Sequence, residues 1–426
     1  MQRYELKAVP ATGLKKKPLW PWLLLAAVVL AAALLIFLPD REDPAAEVPP
    51  AAVVPPENEV LPETDQADLL PVVDLEEQGS GQQILEEMYT PWRYYRSLLD
   101  SRQQGYYDQI AAAVYRHEDV LTGISGIDSD ELMELAGMVW MDYPEYFWME
   151  SGCSATIWTP GDPGETVTVD LQLRFLMDEQ QRQEIQTRLD ERCAPILEET
   201  RGMDDFHKVK YVYDEIINST VYRKGERDQS LCTVLLEGEG VCAAYAKATQ
   251  YVLDKVGVRN IYVLGQADGE LHAWNIVQLD GANYELDTTW GDPLNDDGSQ
   301  TLTYNYFCIT TEEMSRSHTR DGSYVLPTCT ATDCDYYRHE GLFFDYYDIQ
   351  VLLPYLIDAA LNGEEFTLKF ADSALLNQAE EAMFGDAFEL EELNKELEIE
   401  GCRVAMFWHS VNEEMNTMNI SFDMES

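Results

Sequence analysis

Hydrophobic and polar residues follow two periods in different parts of this chain. Residues 166–175 alternate strictly and predict a β-strand. A helical pattern covers residues 84–117, with a break predicted near Gly105, and a polar helix is predicted over residues 178–199. Another helix is predicted from Ser129, as its N-cap, to Met141. The pattern therefore predicts a mixed α+β fold.

A β-hairpin is predicted near the middle of the chain. Two alternating segments, residues 271–279 and 282–290, flank an Asp-Gly pair at 280–281. Asp-Gly between two strands is a strong signal for a two-residue hairpin turn. Because side chains alternate along a strand, this register places His272 and Asp287 on one face as diagonal neighbours.

A helix is predicted to begin at Cys242. Gly238 and Gly240 indicate a tight loop before it, and apolar residues then recur at helical spacing until Val256, where Gly257 can end the helix. A cysteine in the first turn lies beside unpaired backbone N–H groups and the positive end of the helix dipole. Both features stabilise a thiolate, and the N–H of Cys242 could bind an oxyanion.

Two sequence blocks carry a family resemblance. The segments GEGVCAAYAKATQYVLDKVGV (238–258) and ELHAWNIVQLDGANYELDTTWGDP (270–293) resemble the transglutaminase-like superfamily, which has a papain-like α+β core. The resemblance extends over roughly residues 200–310, and it is greatest to bacterial extracellular members. Many of these have Gly where this chain has Ala244, whose methyl group is expected to crowd the site slightly.

The resemblance implies a catalytic role for three residues. Cys242 would be the nucleophile, His272 the general base and then acid, and Asp287 the residue that orients the imidazole. The implied reaction forms a thioester from a protein or cell-wall peptide amide, which then passes to an amine or to water. No cofactor and no metal site are predicted.

Three further residues are candidates for substrate binding. Trp274 and Trp290 flank the triad and could exclude water from it, although both could equally be core aromatic residues. Gln229 has the right chemistry for a second oxyanion donor, but a solvated loop glutamine is the alternative.

The N-terminal region predicts a membrane anchor. Residues 19–38 are uncharged and nearly all apolar, and a helix of about 20 residues spans the roughly 30 Å hydrocarbon core of a bilayer. Lys15, Lys16 and Lys17 precede it and acidic residues follow, so residues 1–18 are predicted to be a cytoplasmic tail. A cleaved signal peptide is the alternative, but the apolar run is long for one. The acidic, proline-rich residues 39–80 predict a disordered linker.

The formal charge of −49 limits the partners of this protein. Nucleic acid is not expected to bind, because it is also a polyanion.

The eight cysteines are too few and too irregularly spaced for a disulfide framework. Cys329 and Cys334 are either a disulfide or a pair of buried thiols.

These features predict three folded parts beyond the linker: an accessory domain (81–200), a transglutaminase-like domain (201–340) and a C-terminal α+β unit (341–426). In the last, helices are predicted at 351–361 and 390–397 and a strand at 402–408. The predicted protein is an extracytoplasmic, membrane-anchored thiol enzyme. The alternatives are a non-catalytic module that binds peptides or wall components, and a spacer protein.

Overall fold

The computed structural model describes residues 91–158, 166–225, 229–293, 301–363, 365–385, 390–399 and 402–425. The predicted tail (1–18), membrane helix (19–38) and linker (39–80) therefore lie outside the described residues. Among the residues that the structure describes, no helix has the length and apolar character needed to cross a membrane. All of the described residues belong to one compact unit.

The N-terminal part is mixed α/β. Its elements are α1 (Tyr94–Ser97), α2 (Ser101–Tyr115), β1 (Val120–Ser125), α3 (Ser129–Asp142), β2 (Ser154–Trp158), β3 (Thr168–Gln172) and α4 (Glu179–Glu199). The three strands form an antiparallel sheet in the order β1-β3-β2. The strand predicted over residues 166–175 is thus present but shorter.

Aspartate caps correct two of the predicted helix boundaries. The first helical stretch breaks before Ser101 and not at Gly105, because Asp100 caps α2 by accepting bonds from the backbone N–H groups of Arg102 and Gln103. The helix after it is capped by Asp128, and Ser129 is its first helical residue. In both cases the Asp side chain satisfies N–H groups that a helix start leaves unpaired.

The central part contains the predicted Cys242 helix and the predicted hairpin. Its elements are α5 (Asp205–Asn218), β4 (Val221–Tyr222), α6 (Leu231–Glu237), β5 (Glu239–Gly240), α7 (Cys242–Val256), β6 (Asn260–Ala267), β7 (Glu270–Leu279), β8 (Ala282–Leu286), β9 (Phe307–Ile309), α8 (Thr311–Met314), β10 (His318–Arg320) and α9 (Tyr336–His339). Five strands form an antiparallel sheet in the order β10-β6-β7-β8-β9, and α7 packs on β6 and β7.

The hairpin has the predicted turn and register, but its second strand ends at Leu286 and not at residue 290 as predicted. Leu279 pairs with Ala282, and the pairing continues to Asn275 opposite Leu286. The two turn residues have φ angles of 50° and 80°, as a turn with two left-handed central residues requires. After Leu286 the chain leaves the ladder, and the backbone N–H of Asp287 donates to the carbonyl of Tyr306.

The C-terminal part is a second, smaller α+β layer. Its elements are β11 (Phe343–Phe344), α10 (Ile349–Asn362), β12 (Phe366–Phe370), α11 (Ser373–Phe384), α12 (Leu390–Ile399), β13 (Arg403–Asn412) and β14 (Thr417–Glu425). The strands form a sheet in the order β11-β12-β14-β13. The two predicted helices and the predicted strand correspond to α10, α12 and β13, and the other elements were not predicted.

Two hydrophobic cores hold the described residues together. One core is continuous across the N-terminal and central parts, joining residues such as Leu132 and Tyr107 to Ile216 and Leu286. The predicted accessory and transglutaminase-like domains thus share a single core. The other core belongs to the C-terminal part, with Leu368 and Ile420 among its members. None of the eight cysteines, all of which are described, forms a disulfide, so Cys329 and Cys334 are a pair of buried thiols.

One buried lysine joins the C-terminal sheet to the central part. Lys369 on β12 forms ion pairs with Glu313 at 2.7 Å and with Asp335 at 2.6 Å, and its side chain is only 4% exposed. Moving the two parts of the protein away from each other would leave a buried charge without its partner, which is strongly destabilising. The ion pairs therefore fix the position of the C-terminal sheet beside the central one.

Candidate active site

Cys242 occupies the first position of α7 and is partly exposed. The N-cap residue is Val241, which has no side-chain acceptor for the helix start. The backbone N–H of the first helical residue has no partner within the helix. The start of α7 therefore keeps N–H donors beside the Cys242 thiol, where an oxyanion would form.

His272 and Asp287 meet as predicted, although Asp287 lies one residue beyond the end of β8. The imidazole Nε2 of His272 on β7 donates to Asp287 Oδ2 over 2.6 Å. Cys242 and His272 line the same cleft, and the Cys242 side chain is close enough to help raise the pKa of the imidazole. Because Nε2 is held by Asp287, Nδ1 is the nitrogen left to interact with the thiol. The structure therefore joins Cys242, His272 and Asp287 in one chain of contacts.

A glycine makes room for this arrangement. Gly265 on β6 is the strand partner of His272. A Cβ atom built on Gly265 would lie 2.2 Å from the carbonyl oxygen of Thr319 on β10 and 2.7 Å from the Trp274 ring. Any side chain there would separate the two strands, so Gly265 is required for their close packing.

His318 is a second imidazole at this site that the sequence did not reveal. Its Nε2 lies 3.0 Å from Asp287 Oδ2, and its Nδ1 lies 2.8 Å from the Ser317 hydroxyl. It is the first residue of β10, a three-residue strand at the sheet edge. Such a short strand has too few residues to show alternation, so no pattern in the sequence predicted it.

Asp287 is fully buried, and its charge is compensated from all sides. Besides the two imidazoles on Oδ2, its Oδ1 accepts the backbone N–H groups of Thr289 at 2.8 Å and Trp290 at 3.1 Å. Burial raises the pKa of the Asp287 carboxyl, but the charges and hydrogen bonds of His272 and His318 outweigh burial and hold that pKa well below its usual range. Asp287 is therefore an anion at any physiological pH.

The electrostatics of His272 follow from this anion. Burial lowers the pKa of His272, but the charge of Asp287, its hydrogen bond and the contact with Cys242 together raise it to about 10. His272 is therefore protonated near neutral pH in the folded protein. An imidazolium beside a thiol is the arrangement that activates cysteine nucleophiles.

The predicted substrate-binding residues lie in different places. Trp290 lines the cleft, with its ring centroid 6.3 Å from that of His272. Trp274 is buried beneath His272 with its rings stacked at 6.0 Å, and its indole N–H donates to Glu285. It therefore supports the imidazole from below and does not line the cleft.

Gln229 is not at the cleft. It lines a separate cavity with Trp140 and the buried Lys247. The assignment of Gln229 as second oxyanion donor does not fit this position.

Ala244 is fully buried in the core and does not line the cleft, so its methyl group does not crowd the cleft as expected.

The cleft that contains Cys242 and His272 has a volume of about 830 Å³. That volume can hold a peptide segment of a few residues, since ligand pockets are typically about 300–1,000 Å³. Its lining comes from the central part and from the C-terminal sheet.

The same residues include a possible metal-binding group. His272, Asp287 and His318 offer two imidazole nitrogens and a carboxylate oxygen within 4.8 Å of one another, which are donors that zinc accepts. Both imidazoles, however, already hydrogen-bond Asp287 through Nε2. A metal would have to replace these protons, so the observed geometry fits a hydrogen-bonded carboxylate better.

Comparisons with known proteins support the transglutaminase-like character of this region. Residues 196–288 match the family model of the transglutaminase-like superfamily. A search of curated proteins found no match. Similar solved structures include one titled as a TGase, at 14% identity over 33% of this chain and 45% of that chain, with a TM-score of 0.24.

Two further solved structures were named provisionally as proteases. The Cytophaga hutchinsonii cysteine protease has 15% identity over 32% of this chain and 62% of its own, with a TM-score of 0.22. The Parabacteroides distasonis protease has 10% identity over 64% of this chain and 63% of its own, with a TM-score of 0.20. The chain thus spans less than two thirds of each, and scores this low carry no argument about activity.

The Asp287–His272 pair predicts a specific pH dependence of stability. Folding raises the pKa of His272 from its unfolded value of about 6.5 to about 10. The contribution of the pair to the free energy of unfolding is therefore complete below about pH 6.5 and is lost as the pH rises towards 10. The stability lost in Asp287→Asn, measured by urea unfolding, should therefore shrink from pH 6 to pH 10. The exposed Asp333→Asn is the control. A constant difference for Asp287→Asn would contradict this assignment.

His318 should affect both stability and the reactivity of Cys242. His318→Phe removes one donor from a buried carboxylate, and a hydrogen bond to a charged group contributes about 1.5–3 kcal/mol. We expect a loss of that order in urea unfolding, and slower alkylation of Cys242 by iodoacetamide at pH 7, located by peptide mass spectrometry. His318→Gln keeps an amide donor and should restore part of both. If His318→Phe alters stability alone, His318 is structural and does not position His272.

Proposed function

We propose that this chain, which carries a transglutaminase-like domain over residues 196–288, is a thiol enzyme that acts on protein or cell-wall peptide amides outside the cytoplasm. The observation that carries the proposal is the contact chain from Cys242 through His272 to Asp287 in an open cleft. A structural histidine needs one partner, whereas this one bridges a buried anion and a thiol.

The first half-reaction would form a thioester. The Cys242 thiolate attacks the carbon of a carboxamide, and the N–H groups at the start of α7 stabilise the oxyanion. The His272 imidazolium gives its proton to the leaving nitrogen as the C–N bond breaks, so ammonia or an amine departs. Asp287 keeps the imidazole oriented while its charge changes.

The second half-reaction would release the enzyme. Neutral His272 takes a proton from water or from an amine as that nucleophile attacks the thioester, and the C–S bond breaks to restore the thiolate and the imidazolium. Water gives hydrolysis, as in a cysteine peptidase, and an amine gives acyl transfer. Both outcomes use the same residues, so the choice depends on which nucleophile reaches the cleft.

Turnover can be tested with glutamine-containing peptides. We expect the purified protein to release ammonia, with or without incorporation of a primary amine, and Cys242→Ala to abolish this. Asp287→Asn should reduce kcat by a factor on the order of 10³ or more, because it removes the group that holds the imidazole. Cys153→Ala is a matched control, since Cys153 is also a partly exposed thiol.

Absence of turnover would favour the binding module. If no peptide releases ammonia and Cys242 reacts with iodoacetamide no faster than Cys153, the catalytic proposal is wrong. The cleft would then serve to bind peptides or wall components without chemistry.

The location outside the cytoplasm rests on the sequence around residues 19–38. Protease added to intact cells should digest the C-terminal parts while a tag at residue 1 stays protected. Changing Lys15, Lys16 and Lys17 to Glu should weaken this orientation, because cytoplasmic basic residues set it. Protection of the whole chain in intact cells would contradict an anchored, outward-facing enzyme.

A further inference from the structure

The catalytic cleft has a second wall that lies outside the transglutaminase-like domain. This wall is one face of the C-terminal sheet, where Thr367 pairs with Asn419, and Asn412 pairs with Thr417. All four residues line the cleft. The face therefore presents short hydroxyl and amide side chains towards the space above Cys242.

Side chains alternate along β14, so one face of the sheet is polar and the other belongs to the C-terminal core. Met418 and Ile420 are fully buried in that core, whereas Thr417 and Asn419 line the cleft. The same sheet is fixed to the central part by the buried ion pairs of Lys369 with Glu313 and Asp335. The polar face is thus a fixed side of the cleft.

The cleft is strongly acidic. The only basic side chain among the described lining residues is that of His272. Five carboxylates line the same space: Asp268, Glu270, Asp292, Glu365 and Glu414. Asp292 accepts a hydrogen bond from the Tyr245 hydroxyl. The other four make no ion pair with a described residue. A concave site lined by charges of one sign concentrates ligands of the opposite sign.

Glu414 is a second and independent observation. Its Oε1 is shielded from solvent and has no hydrogen-bond partner among the described residues. Arg316 binds the main-chain carbonyl of Glu414 and leaves the carboxylate unpaired. A shielded carboxylate oxygen without a donor is costly, and a cationic group entering the cleft would remove that cost.

We propose that the C-terminal sheet and the cleft carboxylates select peptide substrates that carry a positive charge beside the reacting amide. This inference rests on the proposed function and assigns the substrate class. The hydroxyl and amide groups of the sheet face would bind the peptide backbone, while Glu365 and Glu414, at opposite ends of that face, would each attract a cationic side chain. Anionic segments would be repelled by the same charges.

The charge preference can be measured without any turnover. Cys242 is labelled with methanethiosulfonate reagents bearing an ammonium or a sulfonate group, and each rate is divided by that of a small free thiol. We expect the cationic reagent to react at least about tenfold faster at low salt, as electrostatic focusing produces. The ratio should fall with added salt and fall severalfold in the double variant Glu365→Gln, Glu414→Gln.

Glu396→Gln is the matched control, because Glu396 is an exposed carboxylate of the same C-terminal part and does not line the cleft. It should leave the ratio unchanged. A ratio near one, or one unaffected by the double variant, would overturn the inference.

Substrate turnover then separates the two proposals. Glutamine peptides flanked by Lys should show higher kcat/KM than the same peptides flanked by Glu, and the double variant should reduce the difference. Charge-selective labelling without ammonia release would refute the proposed enzymatic activity, but it would still support charge selection by the cleft. Ammonia release with equal kcat/KM for both peptides would refute the charge selection alone.

Discussion

A single buried negative charge constrains the architecture around the site. Asp287 is fully buried, and four donors reach its two oxygens: the imidazoles of His272 and His318 and the backbone N–H groups of Thr289 and Trp290. Removing one partner from a buried ion pair typically costs about 3–5 kcal/mol, because the remaining charge is left uncompensated. The hairpin of β7 and β8 and the edge strand β10 must therefore stay in register for the carboxylate to remain satisfied.

This requirement links stability to chemistry. The geometry that compensates Asp287 also orients His272 towards Cys242, and the anion keeps the imidazole protonated near neutral pH. Trp274 supports the ring from below, and Gly265 allows β6 and β10 to approach beneath it. Packing and hydrogen bonds hold His272 and Asp287 in place, which is the preorganisation that the proposed reaction would need.

The cleft is built from more of the chain than the transglutaminase-like domain. That domain, residues 196–288, contains Cys242, His272 and Asp287. His318, which gives Asp287 its second imidazole, and the sheet face with Glu365 and Glu414 come from later segments. The reaction would thus depend on the domain, whereas the charge and shape of the opposite wall are supplied by the C-terminal part. In the proposed enzyme, substrate choice could change there without any change in Cys242, His272 or Asp287.

Local features in the sequence determined much of this protein. The helix from Cys242 to Val256 and the hairpin turn follow from short-range periodicity and from turn residues, so both could be predicted. The contact of His272 with Asp287 was predicted too, although Asp287 lies just beyond the paired strand. The sequence could not predict that His318 would reach Asp287, that Gln229 would line another cavity, or that a distant sheet would close the cleft. Those placements depend on how separate elements pack, and contacts between residues far apart in the chain leave no periodic signal in either segment.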